Sequence, residues 1–254
     1  MTGRRRTEII RAVRTTAARA ALTMLTVAVL ATGCSAVLDP IAVAGPAVAA
    51  PAVATSGDAA AALAKIPVKG RAPKTGYTRD QFGQAWADVD HNGCDTRNDV
   101  LKRDMTKETF KPGTHDCVVL TGTLADPYTA RSISFTRGQG TSEAVQIDHV
   151  VALSDAWQKG AQQLGAATRQ NLGNDPLNLL AADGPSNQAK GDGDAATWLP
   201  PNRSFRCRYV SRQIAVKTKY HLYVTVSERD AITNVLKGCP GEPLPTDRTL
   251  PAPT

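Results

Sequence analysis

The residues best suited to chemistry lie between positions 145 and 192. Asp148 and His149 stand side by side in an otherwise apolar stretch that runs from Val145 to Leu153. Placing a carboxylate and an imidazole there costs free energy unless each finds a partner. Downstream, the runs Asn174-Asp175-Pro176-Leu177-Asn178-Leu179-Leu180 and Pro185-Ser186-Asn187-Gln188-Ala189-Lys190-Gly191-Asp192 supply amide side chains and a lysine. An imidazole that titrates near neutrality can take a proton from water. Carboxylate and amide oxygens are donors for a hard divalent cation, and the combination has the ingredients of metal-assisted hydrolysis. An isolated Asp-His pair is more often a satisfied pair at a strand end, and the downstream amides are what move the reading towards a site. Lys190, three residues past Asn187 on the same expected helix, is placed to contact a phosphate or to be a solvated surface lysine.

Positioning these groups calls for a strand beneath Asp148 and His149, a second beneath Asn178, and a helix carrying Asn187 and Lys190. The apolar patterning predicts strands over 144–151 and 177–181 and a short helix from Ser186. Further helices are expected around 79–88 and 97–105, β segments at 117–124 and 131–136, and helical turns at 154–164 and 166–171. Two C-terminal helices complete the set: one over 205–220 with Asn202 or Ser204 as cap, and one capped by Ser227 with Gly238 just past its end. The class is α+β, without internal repeats. Larger apolar side chains begin near Tyr77 with Phe82, Trp86 and Leu101, which assigns 77–240 to the folded domain. Residues 35–76 read as an Ala/Pro-rich linker and 241–254 as a Pro-rich tail. A domain of about 160 residues can bury one core.

The chain has 254 residues, with 30 Lys plus Arg against 23 Asp plus Glu, a composition that excludes collagen, coiled-coil and polytopic membrane classes. Its net +7 is unevenly spread, because residues 1–34 hold six arginines and one glutamate, leaving the remainder at +2. An arginine-rich start followed by an uncharged apolar run reads as an export signal over 1–34. Ala31-Thr32-Gly33-Cys34 resembles a lipobox, making Cys34 the candidate lipidated residue and a lipid anchor the expected membrane contact; cleavage near residues 42–54 and free secretion is the alternative. Cys94, Cys117, Cys207 and Cys239 remain, with no C-x-x-C pair, which suits two disulfides outside the cytoplasm. Of three connectivities, the sequential one, Cys94–Cys117 and Cys207–Cys239, is preferred because it closes each bridge locally.

Residues 201–240 carry eight basic and two acidic side chains. On one helix, Arg208, Arg212 and Lys219 fall in a narrow arc beside Phe205, Tyr209, Val216 and Tyr220. That arc suits phosphate tracking, or is simply a solvated helix face. Asp88-Val-Asp90-His-Asn92-Gly93, with Asp99 at position twelve, has calcium-loop spacing. Asp95 and Asp99 depart from that pattern, and an Asx-rich turn closing onto Cys94 is preferred. His91, His115 and His221 lie in polar or turn-like contexts and are read as structural.

The spaced set Ile147-Asp148-His149-Val150-Val151-Ala152-Leu153, the Trp four residues on, Asn178-Leu179-Leu180, Asn187, Lys190 and Trp198-Leu199-Pro200 resembles secreted actinobacterial HNH-family endonucleases. Those are related to the C-terminal nuclease domain of GmrSD-type restriction enzymes. The likeness extends through Trp86, Asp88, Gly93-Cys94-Asp95-Thr96-Arg97 and Asp126-Pro127-Tyr128-Thr129 to Cys207, Lys217 and Cys239. It implies a ββα-metal core gripping one divalent cation. Asp148 would ligate through its carboxylate and Asn187 through its amide oxygen, His149 would be the general base, and Asn178 would orient the imidazole. An Asn where many HNH proteins have His favours Mg²⁺ or Mn²⁺ over Zn²⁺. The resulting expectation is an exported, monomeric, metal-dependent endonuclease acting on DNA or also RNA, with modest sequence preference. Two rivals remain: a catalytically degenerate surface lipoprotein serving as a binding module, and a calcium-binding module built on Asp88–Asp99.

Overall fold

The computed structural model describes residues 59–246. The export signal, Cys34 and residues 247–254 of the tail lie outside the described residues. The element order is α1 (Ala59–Lys65), α2 (Thr96–Asp104), β1 (Met105–Phe110), β2 (Val119–Ala125), β3 (Ser132–Thr136) and β4 (Val145–His149). It continues with α3 (Leu153–Gln158), α4 (Ala166–Asn174), β5 (Leu179–Asp183), α5 (Gly184–Lys190), α6 (Arg206–Lys219) and α7 (Val226–Leu236). This is the expected mixture of helix and sheet. Two antiparallel sheets form, one of order β1-β2-β3 and one of β4 with β5. Cys94 with Cys117 and Cys207 with Cys239 stand at disulfide distance, their Cα atoms 5.2 and 6.3 Å apart, in the sequential pairing. No helix among the described residues is long and apolar enough to cross a membrane.

Three differences from the expected elements have physical causes. Residues 79–88 form only a 3-10 turn, Arg79–Phe82, because Gly83 turns the chain away at φ 70°. The expected helical stretch 154–164 is broken by Gly160 at φ 121° into α3 and a 3-10 turn at Ala161–Gln163. β1 is an additional strand. Lys107 takes φ 56° in its middle and the register to β2 shifts there, so the alternation that marks a strand is interrupted. At the last helix the cap is Thr225, whose hydroxyl accepts from the Glu228 N–H at 3.2 Å, rather than Ser227.

Residues on both sides of the expected 77–240 domain also pack onto it. Leu63 and Ile66 are buried against Val224 and Ile232 in the same core cluster, and Val68 bridges to Val224. At the other end, Leu244 packs on the core and the Pro243 carbonyl accepts from Ser211. Small side chains at 59–68 concealed this, since they build no core of their own yet fill one made by α6 and α7.

A charge cluster without exposed members except Arg71 ties the helices together. Lys159, fully buried, places its ammonium 2.7 Å from Asp155, 2.7 Å from Asp194 and 2.6 Å from Glu228. Lys217 reaches Glu228 at 3.0 Å, and Arg71 reaches both Asp155 and Asp194 at 2.9 Å. Three acids face three cations, the condition under which buried charges are tolerated. These contacts connect α3, α6, α7 and the chain just after α5 around the β4–β5 pair.

Candidate active site

β4, β5 and α5 follow one another as strand, strand and helix. β4 pairs antiparallel with β5 so that Asp148 lies opposite Leu180 and His149 opposite Leu179. The outer edge of β5, which faces no strand, is satisfied by side chains. Asp104 accepts from Ala181 N–H at 2.9 Å and Asp126 from Asp183 N–H at 2.9 Å, while the Leu179 carbonyl accepts from Arg103 and Arg212. Asp183 then caps α5, its carboxylate accepting from Ser186 N–H at 2.9 Å. Gly184 begins the helix because a Cβ there would stand 2.1 Å from the Glu143 carbonyl oxygen. Helix α5 can therefore lie close against the turn that leads into β4.

Asp148 is buried, and both carboxylate oxygens are engaged. Lys190 Nζ lies 2.9 Å from Oδ1 and also donates to the His149 carbonyl at 2.7 Å, while the Tyr128 hydroxyl donates to Oδ2. Burial pushes the Tyr128 phenol well above its usual range, with the Asp148 charge acting in the same direction, so it remains a donor. Each carboxylate oxygen has two acceptor positions, and one on each is left open. Lys190 itself is buried. It is thus not a solvated surface lysine: its ammonium is engaged by Asp148 and the His149 carbonyl of β4.

His149 Nε2 is 2.8 Å from the Gly173 carbonyl oxygen. A carbonyl only accepts, so Nε2 carries the proton and Nδ1 of the neutral ring keeps its lone pair. Burial drives the imidazole pKa down to about 4, with Arg79 and Lys190 adding to the depression against the opposing effects of Gly173 and Asp148. At neutral pH the ring is a free base. Trp86 stacks alongside it, with centroids 6.4 Å apart and planes at 19°. Trp86 takes φ 60°, unusual for a bulky residue. Its loop is held by Asn174, which accepts from Ala87 N–H and donates to the Gln84 carbonyl.

Asn178 is fully buried and does not touch the imidazole. Its Oδ1 accepts from Val151 N–H at 2.8 Å, and its Nδ2 donates to the Val151 and Leu172 carbonyls at 3.3 Å. It acts one step away, fixing the backbone beside Gly173. Asn187 is half-buried and donates its amide hydrogens to Gln146 Oε1 at 2.9 Å. With the nitrogen committed, Oδ1 is the end of the amide left to serve as a ligand. Gln146 and Asp148 are two apart on β4, and that alternation was the available signal for Gln146. Tyr128 belongs to the Asp126-Pro127-Tyr128-Thr129 run of the family resemblance, whereas nothing local marks Gly173.

Asp148, His149 and Asn187 line one cleft of 490 Å³, together with Arg79, Trp86 and Arg97. An oxygen-only pair of ligands, one carboxylate and one amide, fits a hard cation that keeps several waters, as Mg²⁺ and Mn²⁺ do. The other expected contacts separate. Arg212 is buried and spends its guanidinium on the Pro176, Leu177 and Leu179 carbonyls, so it is a clamp on the approach to β5 and not part of a basic ridge. Burial, with Arg103 beside it, brings its pKa down to about 10. Lys219 pairs with Asp175 at 2.8 Å. Arg208 is exposed beside a separate groove that Arg131 and Ser204 also line. In the 88–99 loop, Asp88 accepts from Asn92 and Gly93 N–H, and Asp95 caps α2. The Asp88 carboxylate thus closes an Asx turn of the kind expected there. His91, His115 and His221 all occupy turns at positive φ.

Residues 95–235, more than half of the chain, match the family described as GmrSD restriction endonucleases, C-terminal domain. The chain belongs to this family. The matched span begins at the cap of α2 and ends in α7, and so contains the whole of the β4–β5–α5 site. A protein of Arthroderma benhamiae described as an uncharacterized secreted protein is 35% identical over 191 residues, covering 74% of this chain and 88% of that protein. No solved structure matches the chain. A GmrSD-type domain is a nuclease-type domain, and its family membership supports a hydrolase acting on nucleic acid with divalent-metal assistance.

Proposed function

We propose that this chain is an exported, metal-dependent endonuclease that hydrolyses phosphodiester bonds of DNA, and of RNA where it meets it, through an HNH-type ββα-metal site. The observation that carries the reading is the fixed tautomer of His149: a neutral imidazole with Nε2–H on the Gly173 carbonyl, in one cleft with Asp148 and Asn187. His149 Nδ1 takes the proton of the attacking water, and the imidazolium so formed stays oriented by the Gly173 carbonyl. Trp86 covers the ring and Asn178 keeps the Leu172–Gly173 backbone in place. Asp148 and Asn187 would hold one Mg²⁺ or Mn²⁺, which supplies positive charge for the phosphate and the leaving oxygen. Lys190 and Tyr128 keep the Asp148 carboxylate aimed, and Gln146 does the same for the Asn187 amide.

Export is supported by the secreted relative and by the apolar run after the N-terminal arginines. On this reading residues 1–34 are a signal and Cys34 carries the lipid anchor, while the folded part works as a monomer. Arg208, exposed beside its separate groove, offers a peripheral contact to the backbone of the substrate. Plasmid DNA tests the activity: nicking in Mg²⁺ or Mn²⁺, abolished by chelator and by His149→Ala, is the expected outcome, and nicking indifferent to both would refute it.

A further inference from the structure

Two arginines share the cleft with Asp148, His149 and Asn187, and neither is spent on the protein. Arg97, on α2, is partly buried, yet its guanidinium makes no hydrogen bond or ion pair among the described residues; it lies over the Phe135 ring, 5.9 Å from the centroid. Arg79, on the turn before Trp86, is exposed and likewise unpaired, close enough that its charge depresses the His149 pKa. Every other partly or fully buried arginine described is bonded: Arg103, Arg169, Arg206 and Arg212 to carbonyls, Arg137 to Asn98 and the Val119 carbonyl. The acids of the cleft do not answer these charges. Asp148 is held by Lys190, Asp192 pairs with Lys74 at 2.9 Å, and Glu143 has no cation within 4 Å.

A half-buried cation without a partner costs folding free energy. Burial and the adjacent Arg137 lower the pKa of Arg97, and the Asp95 charge opposes them only in part. An anion entering the cleft would offset that cost, and a guanidinium presents paired donors that match phosphate oxygens. Arg97 comes from α2 and Arg79 from the chain before it, so the two approach the β4–β5–α5 unit from outside the ββα element.

We propose that Arg97 and Arg79 are the phosphate-gripping residues of this cleft, holding the non-bridging oxygens of the nucleic-acid backbone next to His149 and Asp148. The assignment rests on the nuclease reading of the same cleft. It deepens that reading by making recognition a matter of backbone charge, so that cutting is tolerant of base sequence.

The test is binding of a short DNA duplex to the full chain in chelator, followed by fluorescence anisotropy over a range of salt concentrations. Each lost phosphate contact flattens the slope of log affinity against log salt by about 0.9. Arg97→Gln and Arg79→Gln should each flatten it by about that amount, and the double variant by about 1.8. In Mn²⁺, Arg97→Gln should lower the maximal cleavage rate by about 100-fold, with Arg97→Lys recovering part of it. The melting temperature of Arg97→Gln should equal or exceed that of the wild type, because an unpaired buried charge has been removed. A fall in melting temperature, or unchanged salt slopes in both single variants, overturns the proposal. Wild-type protein that binds with arginine-dependent slopes but does not cleave would leave the grip standing and refute the nuclease reading. Cleavage with unchanged slopes would do the reverse.

Discussion

Lys190 offers the sharpest structural test, because its ammonium is fully enclosed and its two acceptors are known. It lies 2.9 Å from Asp148 Oδ1 and 2.7 Å from the His149 carbonyl oxygen. Lys190→Met keeps most of the stem and removes the charge, leaving the Asp148 carboxylate buried with only the Tyr128 hydroxyl. Breaking a buried pair in this way costs about 3–5 kcal/mol, most of it from the charge left behind. For a domain of this size that corresponds to a fall of about 6–20 °C in melting temperature. The assay is urea unfolding in chelator, with Asp148→Asn/Lys190→Met alongside. The double variant removes the orphaned charge and should recover a large part of the loss. A loss below about 1 kcal/mol, or a double variant no more stable than the single, would refute the view that Lys190 exists to hold Asp148.

Two further outcomes follow from buried groups. His149 has a folded-state pKa of about 4 against 6.5 for the free side chain. Between those values the unfolded chain binds a proton that the folded one refuses, so stability is complete above pH 6.5 and declines by about 3 kcal/mol towards pH 4. Metal-free unfolding across that range should show the decline in wild type and a flatter profile in His149→Leu; identical profiles would contradict the burial argument. A chain beginning at residue 77 loses Leu63, Ile66 and the Arg71 pairs with Asp155 and Asp194. It should be at least about 3 kcal/mol less stable than one beginning at residue 59, judged from the apolar side chains alone. Equal stability would mean that residues 59–76 are a linker after all.

Much of the site could be read from residue types because the pattern there is locally regular. The strand carrying Asp148 and His149 alternates, the strand after Asn178 is a short apolar run, and the helix from Gly184 is marked by its Asp183 cap and Pro185. What escaped depends on partners distant in sequence. Asn187 is oriented by Gln146, Asp148 by Tyr128, and His149 by a backbone carbonyl that has no side-chain signature. Arg212 and Lys190 were misplaced for one reason: a charged side chain on an amphipathic helix is ordinarily solvated, and only the tertiary fold brings up the carbonyls and the carboxylate that pay for burial. β1 was hidden by its own irregularity at Lys107, and α1 by side chains too small to suggest a core.

The central claim divides labour between a metal held by Asp148 and Asn187 and a base at His149. It is tested most directly by the cleavage rate of a DNA duplex as a function of Mn²⁺ concentration, for wild type and His149→Ala. The expected result is the same half-saturating Mn²⁺ in both proteins and a maximal rate lower by about 10²–10⁴ in the variant. An unchanged maximal rate, or a loss that additional Mn²⁺ restores, would contradict it.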